Sequence, residues 1–201
     1  MASTPKTVRE SAPRTPETEA AILDAALGEL LAHGIRRTTV SDIARRADIS
    51  RQTLYRYWPD AQAVFAALVT RELVAALPRT AAEPSRLDEL VGLLVRTAEA
   101  IRGMPLLVRL RDTDPELFGR YVLTRLGASQ RAIHADVAAR IARGQAAGFV
   151  RSGDPGELAA MVLLIAQSAV QSAPLVAEWL PESSWARELH AALAGYLGGA
   201  S

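Results

Sequence analysis

Ser50, Arg51, Gln52, Thr53, Tyr55, Arg56 and Tyr57 place seven hydrogen-bonding side chains in eight consecutive residues. Arginine can pair bidentately with guanine and glutamine with adenine, each contact discriminating by roughly 1–3 kcal/mol. Serine, threonine and tyrosine hydroxyls suit phosphate oxygens, which position a protein on a duplex without specifying sequence. Thr38 and Thr39, just upstream, have the same capacity. The local charge agrees. Arg36, Arg37, Arg45, Arg46, Arg51 and Arg56 face only Asp42 and Asp48 between residues 36 and 57, a local excess of +4. Residues 61–201 hold fourteen arginines and fourteen acids, and the whole chain carries +1. A basic patch on a neutral body is the footprint of a site-specific nucleic-acid binder.

Such a set works only on a helix that is locked from behind. Thr15-Pro16 is a cap followed by proline at the first helical position, and Ile22, Leu23, Ala26, Leu27, Leu30 and Leu31 then mark one apolar face. Gly34 is expected to end that helix as a left-handed residue. Thr39 with Asp42 opens a second helix as a capping box, and Val40, Ile43, Ala44 and Ala47 form its inner side. Asp48 sits in the turn, where it must tolerate a left-handed backbone. Ser50 caps a third helix running to about Tyr57, with Leu54 and Trp58 facing inward. Asp60 starts a fourth, with Val64, Phe65, Leu68, Leu73 and Leu77 apolar and Pro78 closing it.

The remaining strong periods are all helical: near 84–102, 105–112, 115–144, 155–173 and 183–197. No segment alternates at period two, so the expected fold class is all-α, with an N-terminal three-helix domain and a helical C-terminal body. The expected organisation is a disordered basic arm (1–14), a helix-turn-helix domain (15–58), a connecting helix (59–78) and a helical body (79–201). Lys6, Arg9 and Arg14 give the arm its charge; it either reaches into a minor groove or stays a solvated tail.

With 201 residues, 49% of them hydrophobic, the chain can bury a sizeable core. The absence of cysteine excludes disulfides and thiolate chemistry. The first residues do not read as a signal peptide, and the longest continuous apolar run, Leu158 to Ala166, is short of a membrane span. A soluble cytoplasmic protein without a membrane partner is expected.

Taken together, Ala20 to Ala26, Gly34, Thr38-Thr39-Val40, Ile43-Ala44, and Ile49-Ser50 through Leu54-Tyr55-Arg56-Tyr57-Trp58-Pro59 resemble the N-terminal domain of TetR-type transcriptional regulators. The resemblance is close over about residues 17–77. It departs at Ala61, where the family usually has a phosphate-binding lysine, and at Asp48, where the turn usually has glycine. It implies a DNA-binding regulator that pairs its last two long helices with those of a second subunit, here the helices near 155–173 and 183–197. Leu158, Met161, Val162, Ile165, Ala169 and Val170, with Trp185, Leu189, Ala192, Leu193 and Tyr196, would serve that pairing or ordinary core. Two reading heads one turn apart, about 34 Å, would require a pseudo-palindromic operator.

The resemblance also implies a small-molecule effector held in a largely apolar cavity with a few polar anchors. Leu106, Leu110, Phe118, Tyr121, Met161, Ile165, Gln167, Gln171 and Trp179 are the expected lining. The effector would release a repressor from its operator. Two other readings are a ligand-independent repressor and an all-helical enzyme. For the enzyme, the sequence offers no Walker loop, dinucleotide glycine pattern, Gly-x-Ser-x-Gly elbow or His-Glu-x-x-His. His33, His134 and His190 are scattered, so neither cofactor nor metal is expected.

Overall fold

The computed structural model describes residues 15–78, 83–113, 116 and 127–198. Among these it holds nine α-helices and no strand: α1 (Pro16–His33), α2 (Val40–Arg46), α3 (Arg51–Tyr57), α4 (Ala61–Ala75), α5 (Leu87–Arg102), α6 (Pro105–Thr113), α7 (Ala128–Ala146), α8 (Pro155–Ser172) and α9 (Glu182–Gly198). Short 3-10 turns cover Ile35–Arg37 and Ala173–Val176. The expected all-α class is what the chain adopts. Two compact units divide between Phe65 and Ala66, inside α4.

In the first unit, Thr15 caps α1, its hydroxyl accepting from the Thr18 N–H at 3.2 Å, and Pro16 occupies the first turn. Ile22, Leu23, Ala26 and Leu30 are buried as expected. Leu31 is not: it is 38% exposed. At about 100° per residue it points opposite Ile22, and the buried positions of that turn are Glu29 and Leu30. Gly34 ends α1 by donating to the Leu30 carbonyl at 2.8 Å, with φ 78° and ψ 162°. That is not the expected left-handed helical conformation. It is the extended positive-φ region that only glycine enters freely, and it sends the chain directly into the 3-10 turn.

In the second unit, Leu90, Val91 and Val95 of α5, Val137 and Ile141 of α7, Leu158 and Val162 of α8, and Trp185, Leu189, Leu193 and Leu197 of α9 form one core. Of the helix expected over 115–144, Glu116 is helical and a continuous helix runs from Ala128; Gly127 precedes it and donates its N–H to Gln130 Oε1 at 2.9 Å. Residues 117–126 of that expected helix, and the 1–14 arm, lie outside the described residues. The α7–α8 connection is tied to α9: Arg151 donates its Nε to the Tyr196 carbonyl at 2.7 Å and its backbone N–H to that of Leu197 at 2.8 Å. The guanidinium lies 4.6 Å from the Tyr196 ring centroid.

Residues Pro155–Val176, with mean hydropathy 1.6, are long and apolar enough to cross a membrane by length and composition. The unbroken apolar run at 158–166 is shorter than this stretch because Gln167, Ser168, Gln171 and Ser172 interrupt it at little cost to the average. Only 17% of the stretch is buried.

Two predictions follow from these contacts. A Cβ at Gly144 would stand 2.5 Å from Val150 Cγ2 and 2.8 Å from Phe149 Cε2, where neither branched nor ring carbon can swing away. Gly144→Ala should therefore lose about 1–2 kcal/mol in urea unfolding, overpacking outweighing the regained helix propensity. At the start of α5, the backbone N–H and hydroxyl of Ser85 and the Arg86 guanidinium all donate to Glu89. The Ser85 N–H foremost holds its carboxyl down from 4.5 to about 2. A depressed carboxylate stabilises above its unfolded value and loses that contribution as pH falls. Glu89→Gln should thus be less stable at neutral pH and show a flatter loss between pH 4.5 and about 2 in melting experiments.

Candidate nucleic-acid interface

The segment that carries the polar set is built from three successive caps. Thr39 accepts from the Asp42 N–H at 3.2 Å while Asp42 Oδ2 accepts from the Thr39 N–H at 3.2 Å, closing the capping box at the head of α2. The Thr39 hydroxyl and then Arg45, whose Nη2 lies 2.8 Å from Oδ1, hold the Asp42 carboxyl below its ordinary range. α2 ends in a Schellman motif. The Ile49 N–H reaches back to Ala44 at 3.0 Å and the Asp48 N–H to Arg45 at 3.2 Å. Asp48 is the residue with φ +52° that this motif requires, as the sequence indicated. Ser50 then caps α3, accepting from the Thr53 N–H at 3.0 Å.

Ile43, Ala44 and Leu54 are at most 2% exposed, so α3 is bolted to α2 through its back. On the seven residues of α3, Arg51, Gln52, Tyr55 and Arg56 fall within one arc of about 140° at 100° per residue. Arg51 and Gln52 are exposed, Tyr55 is 53% exposed, and Thr53 and Arg56 are half-buried. The Arg56 Nε is buried without a hydrogen bond. Thr39 and Ser50 are exposed at the two helix starts.

Two of the expected contact residues sit elsewhere. Tyr57 is buried, three residues from Leu54 and on the same inner side; the Thr15 N–H donates to its Oη at 2.7 Å, and its ring centroid lies 5.7 Å from that of Trp58, tilted by 34°. Its i, i+3 relation to Leu54 was the signal in the sequence. Thr38 is buried too, donating its hydroxyl to the Gly34 carbonyl at 2.9 Å, so it closes the 3-10 turn instead of facing outward.

One structural pair escaped the sequence reading. Glu29 of α1, 7% exposed, takes Arg46 of α2 at 3.3 Å and His33 at 3.6 Å. Arg46 lies directly over Gly28, whose missing Cβ leaves the room: an added carbon would meet the guanidinium at 2.6 Å. Arg46 is thereby tied to α1 while staying exposed, and Arg36, Arg37, Arg45 and Arg51 are further exposed cations among the described residues of this unit.

In the second unit, a cavity of about 130 Å³ opens among α4, α5, α6, α7 and α8. Of the expected lining, Gln167 and Gln171 are the members that border it among the described residues. Leu106 and Leu110 are fully buried core, Ile165 packs against the core, and Met161 and Trp179 are exposed, Trp179 by 81%. Phe118 and Tyr121 lie outside the described residues. The wall comes instead from Leu73 and Leu77, whose apolar register the sequence showed, and from Leu93, Leu94, Ile101 and Ile133, which it did not single out. Leu158, Val162, Trp185, Leu189 and Leu193 are also core; Met161, Leu164 and Ala192 are among the exposed residues of α8 and α9.

Residues 22–68 match the family described as bacterial regulatory proteins, tetR family. An uncharacterized HTH-type transcriptional regulator of Mycobacterium bovis is 40% identical over 181 residues, covering 90% of this chain and 95% of that one. A counterpart in Mycobacterium tuberculosis matches over the same extent. In fold, the transcriptional repressor QsdR of R. erythropolis superposes with a TM-score of 0.71 at 17% identity, over 94% of this chain and 98% of that chain. RolR in complex with resorcinol gives 0.64 at 15% identity, over 90% and 88%. A helix-turn-helix of this build, in a chain so similar over nearly its whole length to regulators of that type, places the protein in the TetR family of transcriptional regulators.

Proposed function

We propose that the chain is a cytoplasmic homodimeric repressor that binds a pseudo-palindromic operator and releases it when a small molecule enters the second unit. The observation that carries the DNA half is the outward set on α3, Arg51, Gln52 and Tyr55, on a helix whose other side is fully committed to packing. Arg51 and Gln52 read base edges; Thr39, Ser50, Thr53, Tyr55 and Arg56 hold phosphates. Ala61, inside the first turn of α4, offers no cation there, so the backbone grip rests on the arginines around α2 and α3.

Dimerisation is supported by the open side of α8. Met161 and Leu164, 65% exposed, stand beside Ala160 and Ser168 on one apolar stripe, and α9 offers the small residues Ala191, Ala192 and Gly195 for close approach. Large side chains on one helix and small ones on the other are what a four-helix packing between two copies needs. The cavity supports sensing, and RolR, of the same fold, is known with resorcinol bound. A ligand would act by preferring one of two dimer shapes with different spacing of the reading helices. The DNA-binding role would span 15–58, α4 would connect, and residues beyond 79 would sense and pair.

Arg51→Ala and Tyr55→Ala should each weaken binding to a selected operator by about 1–3 kcal/mol in fluorescence anisotropy, with unchanged melting temperature. Tyr57→Phe should do the reverse, lowering stability through the lost Thr15 hydrogen bond and leaving operator affinity in place. Normal operator binding by both Arg51→Ala and Tyr55→Ala would remove α3 as the reading helix. Leu164→Glu should convert a dimer to a monomer by light scattering and abolish operator binding at the concentrations where wild type binds; a dimeric Leu164→Glu would place the interface elsewhere.

A further inference from the structure

The polar groups bordering the cavity are almost all spent on the protein itself. The Thr97 hydroxyl donates to the Leu93 carbonyl at 2.9 Å. Gln130 turns its carbonyl oxygen to the Gly127 N–H at 2.9 Å. Asp136 and Arg140 close on each other through two hydrogen bonds, Nε to Oδ2 at 2.8 Å and Nη2 to Oδ1 at 3.2 Å, and the same Nη2 also donates to the Pro78 carbonyl at 3.2 Å. Arg140 is only 7% exposed, Asp136 is half-buried, and Glu83 lies 3.8 Å from Arg140 Nη1, so the guanidinium already faces two carboxylates of the protein. An anionic ligand would find the guanidinium already answered by Asp136, and a cationic ligand would find the carboxylate already answered by Arg140. Either would lose its own hydration with little return.

What stays unsatisfied on this wall is donor capacity. Gln171 Nε2 and Arg140 Nη1 are buried and make no hydrogen bond, the nearest carboxylate to Nη1 being Glu83 at 3.8 Å. Buried donors without partners are costly, and an acceptor brought in by a ligand recovers that cost. Gln171 lies near the end of α8, on a cavity wall that is mostly aliphatic.

We propose that the cavity takes an uncharged, mainly aliphatic molecule that carries a hydrogen-bond acceptor such as a ketone or ester oxygen, recognised by the Gln171 amide. This rests on the reading of the cavity as the effector site. The oxygen accepts from Gln171 Nε2 while the chain lies along Leu73, Leu77 and Ile101.

The test uses the full-length protein with three probes of one chain length: 2-decanone, decanoate and decylammonium. Isothermal titration should rank 2-decanone at least tenfold tighter than either charged probe. Gln171→Leu should weaken 2-decanone by about threefold to tenfold, the range of one net hydrogen bond, and leave the weak binding of the charged probes unchanged. Gln171→Met repeats the measurement should the leucine variant not fold. A charged probe that equals or beats the ketone overturns the proposal, as does a Gln171 variant that binds the ketone like wild type. Operator anisotropy in the presence of 2-decanone separates the two ideas. Tight, Gln171-dependent binding with no change in operator affinity sinks the sensing reading and keeps the ligand class. Release by decanoate in preference to the ketone does the opposite, and binding by none of the three sinks both.

Discussion

A seven-residue helix has almost no stability of its own in water, and α3 is such a helix. Everything in the first unit answers that deficit. Leu54, fully buried, anchors its back; Ser50 supplies the first-turn acceptor; the Schellman turn at Asp48 fixes the angle at which the chain leaves α2. Tyr57 adds a second anchor one turn on, and its hydroxyl takes the leading N–H of α1, forty-two residues upstream. The outward side chains are therefore free to be polar because none of them is needed to keep the helix folded. A recognition surface can change residue by residue while its support stays constant.

Glu29 and Arg46 extend this economy to α1. A buried carboxylate is expensive unless paired, and its partner comes from the helix that carries α3. Gly28 clears the path for the guanidinium. The pair resists rotation of α2 against α1 in a way that apolar contacts alone, which tolerate sliding, do not.

Much of this was legible in the residues. Caps are local events, and Thr15-Pro16, Thr39 with Asp42, and Ser50 announced them; the positive φ at Asp48 followed from its place in a tight turn. The outer set on α3 was visible for the same reason. Tyr57 and Thr38 were misjudged because hydroxyl chemistry was weighed ahead of helical register, although Tyr57 shares a side with Leu54. Leu31 was misjudged by one step of 100°. Gly34 was recognised as a stop, but the ψ it adopts depends on where the next turn must go. The cavity wall was hardest. Whether Leu106 or Leu107 borders a void depends on how five helices meet, and no periodicity within one helix records it; of the two, Leu107 does. The glutamines at 167 and 171 stood out because amides are unusual in so apolar a helix.

That helix has a second consequence. α8 gives Leu158, Ala159 and Val162 to the core and leaves Met161 and Leu164 to whatever lies outside, so it is apolar around most of its circumference. A surface of this kind does not rest against water without penalty. Whatever covers it enters the folding equilibrium as a reactant. The apparent melting temperature then ceases to be a constant of the chain and becomes a function of how much of that occupant is present. Were that occupant the second copy proposed above, folding itself would be the first step to feel a shortage of the protein.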